Sequence, residues 1–239
     1  MDNIKLNALC VRATDYGESD KIITLVSAEA GKVGVYARSV KKPQARLKHA
    51  ASPFCFGEYM MAQGKGGRLI LVDYTEKSSF FGLANGIIRY YAGFTVLETT
   101  EKLFAEASNV PLLRAALTAL TTLDYGGDED GALLKFMLAA LSSTGYSLNF
   151  DVCASCSAEL NGDAFFDFGS GTVCGLCRPK EGLSLSAGAL SALRGAQTAS
   201  LAPEHPYNGE ALELIFMIAA RLTGIKMNSA REYLNLKRG

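Results

Sequence analysis

Four cysteines stand in two tight pairs, Cys153-Ala154-Ser155-Cys156 and Cys174-Gly175-Leu176-Cys177, with 17 residues between them. A C-x2-C turn aims two thiolates at one point. Two such turns close a tetrahedral shell of sulfur around one metal, and spacers of about 15–20 residues are usual for zinc. Two disulfides would need an oxidising compartment, of which the chain carries no sign. A thioredoxin-like redox pair needs one C-x-x-C opening a helix after a strand, not two pairs around a glycine-rich hairpin. The expectation is one zinc ion held by Cys153, Cys156, Cys174 and Cys177. Four protein ligands leave no position for water or substrate, which makes the metal structural and not catalytic.

The second chemical feature is cationic. Net charge is zero, yet residues 1–77 carry 12 Lys+Arg against 8 Asp+Glu, and residues 78–239 carry 12 against 16. Between Lys32 and His49 there are six basic residues and no acid. Arg38, Lys41, Lys42, Arg46 and Lys48 are the candidate phosphate contacts, with Lys65 and Arg68 extending the patch. Such residues neutralise phosphates and release counterions, giving binding that ignores sequence and weakens with salt. Tyr36, Phe54, Phe56 and Tyr59 lie nearby in the chain. On a barrel face they would stack bases, although each also reads as core.

Other constellations are poor. Gly64-Lys65-Gly66-Gly67 lacks the Gly-Lys-Ser/Thr and the following helix of a phosphate loop. His49 and His205 are the only histidines, which supplies a hydrolase site badly. Asp15, Glu18 and Asp20 form an acidic turn without an evident base or nucleophile. Asp128-Glu129-Asp130 reads as a helix start, where the helix dipole favours acids. The chain is expected not to be an enzyme and to take no small-molecule substrate.

The elements that must position these groups change character once. Up to residue 77, five short β-rich runs alternate with turns: Leu6–Arg12, Lys21–Val26, Val33–Arg38, Phe54–Met61 and Arg68–Tyr74. Glu29-Ala30-Gly31-Lys32 marks a hairpin. Five strands with glycines where a sheet must bend suit a small closed barrel of the OB type, with an SH3-like barrel as the next choice. From Ser78 onward the period becomes helical. Leu83, Ile87, Tyr90, Tyr91 and Phe94 share one predicted face, continuing to Leu97 and Leu103. Further helices are predicted over Leu112–Leu123, Leu133–Leu141, Ser186–Leu193, Asn208–Thr223 and Ser229–Leu236, with Pro203 and Pro206 breaking the chain. The run Ile215, Phe216, Met217, Ile218 fills a core or leaves a groove for a partner peptide. The organisation expected is α+β, with a barrel over residues 1–77 and a helical domain over 78–239. The cysteine module, at 150–180, is inserted in the latter. Cys10 and Cys55 read as small core residues. The longest apolar stretches are too short and too charged to span a bilayer, and the first residues lack a signal-peptide pattern. A cytoplasmic location follows.

Ala13-Thr14-Asp15-Tyr16-Gly17-Glu18-Ser19-Asp20-Lys21-Ile22-Ile23-Thr24-Leu25 resembles the early Asp-Tyr-Gly-Glu-Ser-Asp segment of the RecO family of bacterial DNA repair and recombination mediator proteins. Glu29 to Lys32, the basic Arg38-to-Lys48 stretch, Pro53-Phe54 through Gly57-Glu58, Leu141 to Tyr146, the four cysteines and Leu183-Ser184 follow in that family's order. The resemblance runs from about residue 8 to residue 195 and implies an N-terminal OB-fold and a helical domain with a zinc site. It also implies non-catalytic binding of single- and double-stranded DNA, annealing of complementary strands, and help in loading recombinase onto strands coated by single-stranded-DNA-binding protein. The partners implied are the RecR protein and the acidic tail of that coating protein, in a bacterial, nucleoid-associated setting. A rival from another class is a zinc-ribbon scaffold that joins proteins and touches nucleic acid only incidentally. A third is a hydrolase or transferase built on the acidic turn.

Overall fold

The computed structural model describes residues 3–105, 107–198 and 204–239. The side chain of Lys65 and the proposed chain break at Pro203 lie outside the described residues. Strands β1 (Asn3–Tyr16), β2 (Asp20–Ser27), β3 (Gly31–Ala37), β4 (Phe56–Gln63) and β5 (Leu69–Ser78) close into a barrel in the order β1-β2-β3-β5-β4. The fourth pairs back onto the first. The β3–β5 contact is parallel, Val35 opposite Leu69 and Tyr36 opposite Ile70, while the other pairings are antiparallel. This is an OB-type barrel.

One strand explains how barrel and helices join. On β1, Leu6, Ala8 and Cys10 face the barrel interior with Ile23, Leu25, Tyr59 and Met61. Leu9 and Val11 point the other way and enter the helical core together with Val26 and Phe54. Successive residues of a strand face opposite sides, so the unbroken apolar run Leu9–Val11 is a strand buried on both faces. Cys10 and Cys55 are fully buried. Burial pushes the Cys55 thiol up to about 12 and that of Cys10 higher still, as expected of core residues. Tyr59 is also enclosed, its hydroxyl donating to the carbonyls of Ala50 and Cys55. Gly57 permits the closure: a Cβ there would lie 2.3 Å from the Thr75 carbonyl oxygen.

The helical half holds α1 (Ile87–Leu103), α2 (Val110–Asp124), α3 (Glu129–Ser143), α4 (Ala187–Thr198), α5 (Asn208–Thr223) and α6 (Asn228–Arg238). Caps set several of the ends. The Asn109 side chain accepts from the Leu112 N–H at 3.0 Å to open α2. Asp128 accepts from the Gly131 N–H at 2.8 Å to open α3, with Glu129 and Asp130 in its first turn. The acidic cluster is therefore the helix start that its composition suggested.

The expectation for α1 holds for Leu97, which is buried, and for Tyr91, Phe94 and Leu103, which pack against the core, and needs correction elsewhere. Leu83 precedes the helix in a short 3-10 turn, and Ile87 is 59% exposed. The buried positions are Ala92, Gly93, Thr95, Val96, Leu97, Thr99 and Thr100. α1 packs against β1, α2, α3 and α6. Close approach on several sides selects small residues, and the buried threonines Thr95 and Thr100 satisfy their hydroxyls on the Tyr91 and Val96 carbonyls.

The cysteine module carries a three-stranded sheet of β6 (Ala164–Asp167), β7 (Gly171–Cys174) and β8 (Leu183–Leu185), in the order β7-β6-β8. Leu160, Ala164, Phe166, Val173 and Leu185 join the helical core. Arg194 on α4 clamps the entry loops, donating to the carbonyls of Phe150 (2.8 Å), Asp151 (3.2 Å) and Leu160 (2.8 Å).

Candidate functional site

The two C-x2-C turns converge as their spacing demands. The Sγ atoms of Cys153, Cys156, Cys174 and Cys177 all lie within 4.8 Å of one another. A tetrahedron with metal–sulfur bonds of about 2.3 Å has edges of about 3.8 Å, and Cys156 and Cys174 have their sulfurs 3.8 Å apart. The backbone prepares the first thiolate. The Cys174 N–H donates to the Cys153 sulfur at 3.3 Å. That bond foremost, with help from the N–H groups of Cys156 and Ser155, holds the Cys153 thiol down at about 6. Cys177 is pushed up to about 12, chiefly because it shares its proton with the sulfurs of Cys156 and Cys174. Four sulfurs converging at this spacing fit a metal ion with thiolate ligands. Cys153 is buried and Cys156 exposed, so the site lies at the surface edge of the helical core.

On the barrel, the basic stretch folds into consecutive turns over residues 38–55 instead of a loose loop. Val40, Ala50 and Ala51 plug the barrel end. Its cations then divide into two groups. Lys41 pairs with Asp15 at 2.7 Å, and Arg46 pairs with Asp73 at 2.6 Å while also donating to the Val72 carbonyl. Among the described residues, Arg38, Lys42, Lys48 and Arg68 are exposed and have no carboxylate within 4.0 Å. Arg38 and Arg68, some thirty positions apart in the chain, both lie over the Tyr36 ring, at 5.7 and 5.6 Å from its centroid. Tyr16 meets the same ring edge-on at 5.5 Å and is 48% exposed.

Tyr36 is held there by the acidic turn. Its hydroxyl donates to the Asp20 carboxylate, which also accepts the Ser39 N–H at 2.6 Å. These bonds, the backbone one first, hold the Asp20 carboxyl below the usual carboxylate range. Ser39 sits at φ +54, a left-handed conformation that the Asp20 contact stabilises.

The remaining candidate aromatics are not part of that surface. Tyr59 is sealed in the barrel. Phe54 is not in a strand: it stands at φ +73 and turns its ring onto α1, with centroids 4.8 Å from Phe94 and 6.0 Å from Tyr90. Phe56 packs partly buried against the helical core. Sequence reading missed Tyr16, although it stands inside the Asp15-to-Asp20 segment. The Tyr16–Tyr36 pair forms only because β1 ends beside β3 across β2.

The helical half offers a further concavity of about 520 Å3 between α2 and α3. Its walls are mainly apolar, including Val110, Ala115, Ala119 and Phe136, and Arg114 and Lys135 stand among them. Partial burial holds Lys135 below the usual lysine range. Among the described residues, no helix is long and apolar enough to cross a membrane.

Comparison with known proteins agrees with this architecture. The family described as "Recombination protein O N terminal" matches residues 1–77, and "Recombination protein O C terminal" matches residues 84–229. The DNA repair protein RecO of Anaeromyxobacter sp. (strain K) is 33% identical over 208 residues, covering 84% of this chain and 82% of its own. RecO of Pelotomaculum thermopropionicum is 33% identical over 175 residues (72% and 68%), and RecO of Bacillus subtilis is 30% identical over 186 residues (74% and 69%). With both family models matched in order along the chain and relatives 33% identical over more than four fifths of it, the chain belongs to the RecO family of DNA repair proteins.

Proposed function

We propose that the protein is a non-catalytic mediator of DNA repair and recombination. It binds single- and double-stranded DNA on the barrel, anneals complementary strands and assists recombinase loading onto strands coated by single-stranded-DNA-binding protein. The observation that carries this reading is Tyr36, flanked by the unpaired cations Arg38 and Arg68 and by the exposed ring of Tyr16. It lies on the strand 2–3 face that OB-folds use for oligonucleotides. Guanidinium groups neutralise phosphates while an aromatic face accepts any base, so the surface tracks a strand without reading its sequence. Annealing then needs no bond chemistry. A cationic surface holding two strands lowers their repulsion, and base pairing drives the rest. The carboxylates of Asp15 and Asp20 are engaged by Lys41, Tyr36 and Ser39, which speaks against a catalytic role for the acidic turn.

The four cysteines would hold zinc, which suits an all-thiolate set and would tie the module's two turns together. The α2–α3 groove, apolar with Arg114 and Lys135, has the chemistry for the acidic tail of the coating protein, and RecR is the second protein partner.

The test is annealing of complementary strands precoated with single-stranded-DNA-binding protein. Wild type accelerates it, whereas a variant combining R38E, K42E, K48E and R68E does not. In direct binding to single strands, four free cations give a slope of log affinity against log salt of about −3, against about −5 if all seven sequence candidates engage. Equal annealing by both proteins would overturn the assigned surface.

A further inference from the structure

A second apolar groove lies between α5 and α6, on elements that do not form the α2–α3 groove, with a volume of about 490 Å3. Its floor includes Phe216, Met217, Ile225, Met227 and Leu234. Met217 is 47% exposed on a helix that otherwise buries its apolar face, and methionine adapts its shape to varied partners. α5 ends on Gly224 at φ +71, a left-handed cap that also lines the groove. The charged residues lining it are Lys226, Arg231, Arg238 and Glu213. Glu213 is satisfied by Arg238 at 2.7 Å, and Arg231 makes only a 3.6 Å contact with its chain neighbour Glu232. Lys226 is exposed, and none of the ion pairs among the described residues engages its ammonium. The lining is therefore apolar at the bottom and net positive at the edge.

We propose that the α5–α6 groove is a second docking site for a short acidic peptide with apolar side chains, so that one molecule of this protein holds two such segments at once. The inference rests on the proposed use of the α2–α3 groove for an acidic tail and extends it to a separate site. Charge complementarity selects the occupant. An acidic segment meets Lys226 and Arg231, while its apolar side chains fill the space over Met217 and Met227. Two sites on one helical core raise avidity for a partner that carries several tails, without any new contact at either site.

The probe is a fluorescein-labelled synthetic peptide of mixed aspartate, leucine and phenylalanine, titrated into the full chain by fluorescence anisotropy and calorimetry. The expected result is two peptides bound per chain. The variants M217E and R231E, both at exposed positions, each remove one binding event, weakening that site at least tenfold, and leave the other. R114E removes the other event alone. A single bound peptide that is lost in R114E and unchanged in M217E would overturn this proposal while sparing the α2–α3 assignment. Loss in M217E with no effect of R114E would uphold this site and overturn that assignment. Equal affinity for a peptide with lysine in place of aspartate would overturn the proposal. So would sedimentation showing a self-associated chain that M217E makes monomeric, because the groove would then be an interface between copies.

Discussion

At Asp20 three donors converge on one carboxylate: the Ser39 N–H, the Tyr36 hydroxyl and the Ser19 hydroxyl. The residue thus ties the β1–β2 turn to the ring that the proposed DNA surface needs and to the first turn of the basic segment. Its folded carboxyl is held below its unfolded value. A depressed carboxylate contributes stability that is fully present above the unfolded value, near 3.8, and is lost as pH falls through the folded one. D20N should therefore melt at a lower temperature than wild type at pH 7, and the two melting temperatures should converge as pH falls below 3.8 and through the lowered folded value. Melts that stay equally far apart at both pH values would show that the carboxylate charge is not what holds the turn. The ring makes a separate prediction. Y36F keeps the stacking face and loses the bond to Asp20, so its affinity for single-stranded DNA should stay near wild type. Y36A should weaken binding by about 1–3 kcal/mol, or about 5- to 150-fold. Equal losses in the two variants would assign Tyr36 an anchoring role and remove it from the DNA surface.

Among the elements, α6 shows how a short polar helix is kept in place. It has no side-chain cap of its own. Glu98 of α1 supplies one, accepting from the N–H groups of Asn228 (3.1 Å) and Ser229 (2.7 Å) and from the Ser229 hydroxyl (2.6 Å), while Lys102 neutralises it at 2.6 Å. At the other end of the helix, Lys237 pairs with Asp130 of α3 at 3.2 Å. E98A should cost about 0.5–2 kcal/mol, the usual worth of an N-cap, and hydrogen exchange should quicken across α6 before it does in α3. Uniform quickening would mean that the cap acts on the whole domain and not on one helix. The cysteine module invites a similar test. C156S should lower bound metal and melting temperature while leaving the DNA affinity of the folded fraction unchanged, since the sulfur cluster and Tyr36 stand on different elements. A folded variant with full metal content would remove Cys156 from the ligand set. These elements also mark what sequence could and could not convey. The cysteines were legible because ligand spacing is local, and five helices fell near their predicted spans because their apolar residues recur between clear breaks in the chain. α1 was legible in part: Tyr91, Phe94, Leu97 and Leu103 do meet the core, but a helix surrounded by neighbours also buries small residues and threonines, which carry no stripe. The cationic surface was half legible: residue type identified the stretch, but the pairing of Lys41 with Asp15 and of Arg46 with Asp73 depends on barrel closure, as does the meeting of Arg38 and Arg68 over Tyr36.

At the scale of the molecule, the change of period near Ser78 separates two kinds of secondary structure, and the barrel keeps an interior cluster of its own, but one face of the barrel is built into the helical core. Leu9, Val11, Val26 and Phe54 of the barrel half belong to the same buried cluster as Leu83, Val96, Leu97 and Leu120 of the helical half. Polar contacts reinforce the seam: the Lys32 N–H donates to the Ala105 carbonyl at 3.2 Å, the Lys32 ammonium to the Glu101 carbonyl at 2.9 Å, and Arg12 pairs with Glu101 at 3.2 Å. Removing the helices would expose Leu9, Val11 and Val26 as an apolar patch on β1 and β2. Residues 1–80 expressed alone should therefore aggregate or stay unfolded, despite containing every barrel strand. In the full chain, L9A should cost about 2–5 kcal/mol, the range for a buried leucine. Because Leu9 lies in the shared core, that cost should fall on both halves together. Hydrogen exchange followed through a urea titration should give coincident midpoints for β3 and α3, and L9A should move both by the same amount. A shift confined to β3, or a fragment of residues 1–80 that folds cooperatively, would show two independent units and would reduce the Leu9 face to an ordinary domain contact.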